Sequence, residues 1–223
     1  MNPVAIAVLV FAAVTTVWLV IYVQVYLPRQ LEQRFLESMN AFSKATELRF
    51  PSNSGRTEEV IHFACQIGKR LSYTRSELHA LELSAYLRDI GCCAIPYQPF
   101  NQKLRSEWTD AEAKVYAKHP EVSGAMLELV PSLRHVADSV RWHHAHYDGS
   151  NILGAPCGSD LPLNARILKV ASDFVWLSLE VGPGAAIKAI ENGVGTEYCP
   201  DVVEEFKQVL TSSRVREPKT IYV

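Results

Sequence analysis

Hydrophobic residues recur along most of this chain every three or four positions, and the exception comes first. From Val4 to Val23 the run VAIAVLVFAAVTTVWLVIYV holds twenty residues without a charge, the length at which a helix crosses the hydrocarbon core of a bilayer. Between Gln30 and Phe50 the pattern turns polar and helical, with Leu31, Phe35, Met39, Phe42 and Leu48 as its narrow apolar stripe, and Pro51-Ser52-Asn53-Ser54-Gly55 ends it. Beyond Gly55 the helical spacing continues. Val60, Phe63, Ala64, Ile67 and Leu71 form one stripe; Leu78, Leu81, Ala85 and Leu87 form the next. Thr109 and Glu112 make a capping pattern that opens a predicted helix running to Leu129. Further helices are predicted over Ser132–His146, Leu163–Leu179, Gly184–Glu191 and Pro200–Leu210, the last with proline in its first turn. No run alternates with the period of a strand. The expected fold class is therefore all-α, a helical domain behind one N-terminal transmembrane helix.

Flanking residues give the apolar run an orientation. Trp18, Tyr22 and Tyr26 gather at its C-terminal end, Arg29, Arg34, Lys44 and Arg49 follow, and no Lys or Arg precedes it, which places the bulk of the chain in the cytoplasm. A cleaved signal peptide is the competing reading, but the run is too long, lacks a basic leader and has no small-residue cleavage site before Pro28. We expect an anchor over residues 1–28, a juxtamembrane helical stalk over 29–53, a domain over 54–211 and a flexible tail over 212–223. The stalk's stripe packs on its own domain or pairs with a second copy, giving a homodimer through anchor and stalk.

Composition then removes some functions. A formal charge of −2 and a pI near 6.4 supply no basic field for nucleic acid. Five cysteines, at 65, 92, 93, 157 and 199, are odd in number and lack CxxC spacing, which fits free thiols in a reducing compartment rather than a disulfide framework. Packing is the expected role of the adjacent pair Cys92-Cys93.

Candidate chemistry lies in the histidines and aspartates. Four of the seven histidines fall in two short contexts, KHPEVSG (His119) and RWHHAHYDGS (His143, His144, His146). Neutral imidazole is a common ligand for zinc, iron and manganese, and carboxylates bridge such ions. Asp89 and Asp173 stand at or near ends of apolar helical segments, where an ionised carboxylate needs a partner or a metal. Adjacent residues 143 and 144 cannot share one helix face, so both become ligands only where a helix end turns them toward a common centre. Spacing alone leaves a metal site and ordinary surface or core histidines equally open.

The order of the fragments resembles the HD-GYP family of the HD phosphohydrolase superfamily, across roughly Ser54 to Leu210. The resemblance rests on LRDIGCCAIP (family pattern LHDIGKIGIP), HPEVSG (HPxxG), HHAHYDGSN (HHExxDGxGYP), LPLNARILKVASDF (IPLxARIxxVxDxFD) and CPDVVEEF. It implies an HD-type helical bundle in a bacterial inner-membrane protein. Family members bind two or three metal ions and hydrolyse cyclic di-GMP.

Carried over by resemblance, Asp89 matches the aspartate that bridges two ions, and His119, His143 and His144 complete the ligand set of one of them. Asp173 is read as the late aspartate serving the neighbouring ion. The family's opening histidine falls on Arg56 and its HD histidine on Arg88; lysine becomes Cys92, glutamate becomes Ala145, and Gly-Tyr-Pro becomes Asn151-Ile152-Leu153. We expect Arg56 and Arg88 to replace one ion, because two guanidiniums carry the charge of one divalent cation and can pair with Asp89 and Asp173. The alternative is that both arginines turn to solvent. The implied cofactor is one divalent ion such as iron or manganese, or none. The implied partner is a cyclic dinucleotide or a protein, bound by a degenerate domain without cyclic di-GMP phosphodiesterase activity; a mono-metal phosphohydrolase of altered specificity is the alternative.

Overall fold

A computed structural model of the chain describes residues 2–50, 55–95, 103 and 107–212. The Pro51–Ser54 part of the predicted break and all of the tail but Ser212 lie outside these residues. Two compact units divide at residue 41, one spanning Met1–Ala41 and the other Phe42–Val223.

In the first unit, α1 (Pro3–Ile21) starts with Asn2 capping the amide of Val4 and proline in the opening turn. A π-helical turn, Tyr22–Tyr26, leads into α2 (Leu27–Glu47). Pro28, which has no amide hydrogen to give, stands two residues past this turn, and a widened turn relieves the clash between its ring and the carbonyls before it. The continuous helical stretch Pro3–Glu47 contains a window long and apolar enough to span a bilayer, and none of that window is buried.

The second unit is built of helices joined by turns, with no strand among its described residues, as the sequence predicts: α3 (Arg56–Arg70), α4 (Arg75–Leu87), α5 (Asp110–Tyr116), α6 (His119–Glu128), α7 (Ala137–Arg141), α8 (Leu163–Val181), α9 (Pro183–Asn192) and α10 (Pro200–Ser212). Its main core joins α3, α4, α8, α9 and α10 through Ile67, Leu81, Ile167, Phe174, Ile190 and Phe206. Phe63, Phe174 and Phe206 pack edge to face there, with centroids 4.8–6.1 Å apart. Capping boxes at Thr74–Glu77 and Thr109–Glu112 start α4 and α5. Glu47 supplies the start of α3: its carboxylate accepts the amide hydrogens of Gly55 and Thr57 at 3.0 Å each, which satisfies donors that the helix leaves open.

Two helix predictions need correction. The segment Thr109–Leu129 is two helices, because Pro120 cannot continue α5 and instead occupies the first turn of a new helix that begins at His119. The predicted helix Ser132–His146 is reduced to a 3₁₀ turn at Arg134–Val136 and the short α7, which ends before Trp142. That early end frees His143 and His144 from the helical constraint.

Candidate metal and ligand site

The site begins at the C-terminal end of α4. Arg88 caps the helix, Asp89 follows in a non-helical conformation, and Ile90–Ala94 close a 3₁₀ turn. This turn lies directly on the start of α6. A Cβ at Gly91 would stand 2.3 Å from the carbonyl oxygen of His119 and 2.7 Å from the amide nitrogen of Ser123, so only glycine permits the approach. Ser123 locks it: its hydroxyl accepts the Gly91 amide hydrogen at 2.8 Å and donates to the Arg88 carbonyl at 2.9 Å. Asp89 is thereby set against His119, with Oδ1 3.1 Å from Nε2.

His119 and His143 are fully buried. Each lies beside a backbone carbonyl through Nδ1, His119 on Tyr116 at 2.8 Å and His143 on Val140 at 2.6 Å. A carbonyl only accepts, so Nδ1 carries the hydrogen and Nε2 presents a lone pair in the neutral ring. Neither Nε2 makes a hydrogen bond among the described residues. The close approach of His119 Nε2 to Asp89 is an ion pair only when the imidazole is protonated. His144 joins them just past the end of α7, and the three histidines bring ligand atoms within 4.8 Å of one another. Burial, and then the neighbouring His119, push His143 down to about 3. Buried lone pairs, second-nitrogen contacts to carbonyls and an adjacent carboxylate form a donor set that fits one divalent ion.

The side of Asp89 away from His119 is occupied by a cation of the chain itself. Arg88 is 6% exposed, which excludes a solvent-facing side chain. Its Nε lies 3.1 Å from Asp89 Oδ2, Nη1 donates to the Ala85 carbonyl at 2.8 Å and Nη2 to the Thr57 hydroxyl at 3.4 Å. Burial pushes the Asp89 carboxyl up, but the Arg88 guanidinium outweighs it and holds the group well below the usual carboxylate range. Arg56 opens α3 and places its guanidinium 3.6 Å above the Trp176 ring centroid.

Asp173 needs a corrected reading. Counted position by position from Leu161, the motif IPLxARIxxVxDxFD puts its aspartate on Ser172, one residue earlier. The structure agrees with that register in one respect: the Ser172 hydroxyl is buried without a hydrogen-bond partner among the described residues, and Ser172 lines a cavity of about 40 Å³ with Arg56, Arg88, Asp89 and His143. Asp173 borders the same cavity, and its Oδ2 accepts from Lys169 Nζ at 2.5 Å and from the Tyr198 hydroxyl at 2.9 Å. Sequence reasoning missed Lys169 and Tyr198. Lys169 had a signal, standing four residues before Asp173 on one helix face; Tyr198, contributed by the segment before α10, had none.

The other altered positions serve local structure. Cys92 is buried with Phe50, Ile95 and Tyr116, and burial followed by Asp89 pushes its thiol up. It can bring its sulfur within 4.8 Å of Asp89 and His119 ligand atoms. Ala145 packs on Leu161 and Ala165, where a buried glutamate carboxylate would need a partner. Asn151 accepts the His146 amide hydrogen at 2.7 Å and donates to the His144 carbonyl at 2.9 Å, tying the histidine turn. Ile152 is half-buried and Leu153 fully exposed. A larger cavity of about 800 Å³ shares Tyr116, His144, Asp173 and Trp176 with the small one, and adds Trp108, Trp142 and Tyr198.

This arrangement of helices around an Asp-and-His centre defines a class. The family model described as HD domain matches residues 40–201, and the chain belongs to that family. Within it the similarity runs to the HD-GYP branch. The chain is 29% identical over 147 residues to the cyclic di-GMP phosphodiesterase response regulator RpfG of Xanthomonas campestris, covering 65% of this chain and 38% of that protein. It is 25% identical over 194 residues to the 3′3′-cGAMP-specific phosphodiesterase 3 of Vibrio cholerae, covering 84% of this chain and 41% of that one. Among solved structures, a V. cholerae cyclic GMP-AMP specific phosphodiesterase (V-cGAP3) superposes with a TM-score of 0.64 at 20% identity, over 80% of this chain and 49% of the other. Bd1817, an HDG"Y"P protein of Bdellovibrio bacteriovorus, gives 0.57 at 18%, over 70% and 51%. The chain thus spans less than half the length of either of these two sequence relatives.

Proposed function

We propose that this protein is a membrane-anchored, degenerate HD-GYP domain that signals by binding a nucleotide or protein partner and does not hydrolyse cyclic dinucleotides. One observation carries the reading: buried Arg88, at the position of the HD histidine, holds the Asp89 oxygen that in the family would serve a second ion. Phosphodiester hydrolysis at a two-metal centre depends on both ions, one to make the attacking hydroxide and both to steady the attacking and leaving oxygens. Asp89, His119, His143 and His144 would hold a single ion, which would supply Lewis acidity. The aromatic lining of the larger cavity suits stacked bases, so binding outlasts turnover in this reading. The basic residues after the apolar run support an inner-membrane anchor with the domain in the cytoplasm.

The second reading, a mono-metal phosphohydrolase, is favoured by the two buried imidazole lone pairs. Metal content per chain on the full-length protein in detergent, after iron or manganese loading, separates the readings when combined with an assay on cyclic di-GMP and 3′3′-cGAMP. We expect one ion or none, and no turnover. One ion with turnover that His119→Ala abolishes establishes the hydrolase, and two ions per chain overturn both.

A further inference from the structure

We propose that Cys92 is a thiolate ligand of the ion held by His119 and Asp89, and that the centre takes a thiophilic divalent ion, zinc or cobalt, in preference to iron or manganese. The inference rests on the reading that the site holds one ion, and names the kind of ion. At this position the family motif has lysine, a cation that repels metal, whereas this chain has the residue whose sulfur binds it.

His119 belongs to two groups of donors whose ligand atoms lie within 4.8 Å of one another, one with His143 and His144, the other with Asp89 and Cys92. Cys92 is 1% exposed, and among the five cysteines it alone enters such a group. Zinc, with bonds of about 2.0–2.3 Å, holds tetrahedral ligand atoms about 3.3–3.8 Å apart, so a shift of about 1 Å brings the sulfur to bonding distance. Asp89 Oδ1 and His119 Nε2 stand 3.1 Å apart already. With Nδ1 turned to the Tyr116 carbonyl, that Nε2 is a fully buried lone pair without a hydrogen-bond partner among the described residues. It faces a carboxylate oxygen, and two acceptors so placed need a proton or a metal ion to hold them together.

Charge balance then asks for a second anion. Arg88, 3.1 Å from Oδ2, already matches Asp89, and Lys169 matches Asp173. A dication among neutral imidazoles would find no counter-charge of its own in these ligands. The Cys92 thiol supplies one when it gives its proton to solvent as the ion binds. A thiolate favours soft and borderline ions over hard ones, which sets the preference.

The test loads chelator-treated full-length protein in detergent with cobalt(II) and reads the thiolate-to-cobalt charge-transfer absorption in the near ultraviolet. Metal content per chain and competition between zinc and manganese are measured beside it. Wild type should show the band with one cobalt per chain. Cys92→Ser should lose the band and at least about tenfold of zinc's advantage over manganese, the scale on which even outer-shell changes act, with circular dichroism unchanged. Cys93→Ser, at the exposed neighbour, should keep both. Cobalt bound to wild type without the band overturns the thiolate ligand and leaves the one-ion reading standing, and that result requires no variant to fold. A band that survives Cys92→Ser overturns it as well. An empty centre overturns the proposal and leaves partner binding without metal; two ions per chain overturn the one-ion reading and the proposal with it.

Discussion

Replacing Arg88 by methionine tests the site where charge and fold meet. The change keeps much of the aliphatic stem but removes the guanidinium that lies 3.1 Å from Asp89 Oδ2. Two unit charges at that distance attract by about 5 kcal/mol at an effective dielectric near 20. Not all of that is lost, because the Asp89 side chain is 23% exposed and water can reach it in part. Breaking a buried ion pair from one side costs roughly 3–5 kcal/mol, and the partial exposure puts this one near the lower end, about 3 kcal/mol. For a domain of this size that corresponds to a fall in Tm of about 6–12 °C. The assay is thermal and denaturant unfolding of chelator-treated protein followed by near-ultraviolet circular dichroism, in a double-mutant cycle with Asp89→Asn. The cycle isolates the pair from the hydrogen bonds of Arg88 to Ala85 and Thr57. A coupling of about 2 kcal/mol is expected. A cost below about 1 kcal/mol, or the same cost with and without the Asp89 carboxylate, refutes the claim that Arg88 neutralises Asp89.

Other outcomes follow from the same geometry. His143 is held neutral down to about 3, so below about 6.5 the unfolded chain takes up a proton that the native site refuses. Metal-free protein should lose stability as pH falls from there, by up to roughly 1.4 kcal/mol per pH unit, and His143→Gln should flatten this slope. Gly91→Ala drives a Cβ to 2.3 Å from the His119 carbonyl oxygen; the turn must separate from α6, and bound metal should fall even where circular dichroism shows a folded domain. Ser123→Gly, which restores the motif's glycine, removes the acceptor for the Gly91 amide and should cost about 1–2 kcal/mol in chemical unfolding.

How far the sequence reached depended on whether a feature was local. The apolar run, the helical period and the Thr109–Glu112 capping box are written in neighbouring residues, and the structure follows them. Two features depended on a proline and on a register: Pro120 divides one expected helix in two, and the motif's late aspartate falls on Ser172, one residue before Asp173. The condition placed on His143 and His144, that a helix end turn them together, is met because α7 stops at Arg141. The role of Glu47 at α3 joins residues eight and ten positions apart in the chain, and Tyr198 reaches Asp173 from outside α8; no periodicity carries such contacts.

The Arg88 contacts also bear on whether the change from the family pattern can be undone. The arginine now fills hydrogen bonds to the Ala85 carbonyl and the Thr57 hydroxyl as well as balancing Asp89. Restoring histidine there alone would strip all three interactions. A single step back at Arg88 therefore lowers stability on its own. Such a position behaves as a ratchet: neighbouring sequences are more accessible when they elaborate the new charge pattern than when they reverse it.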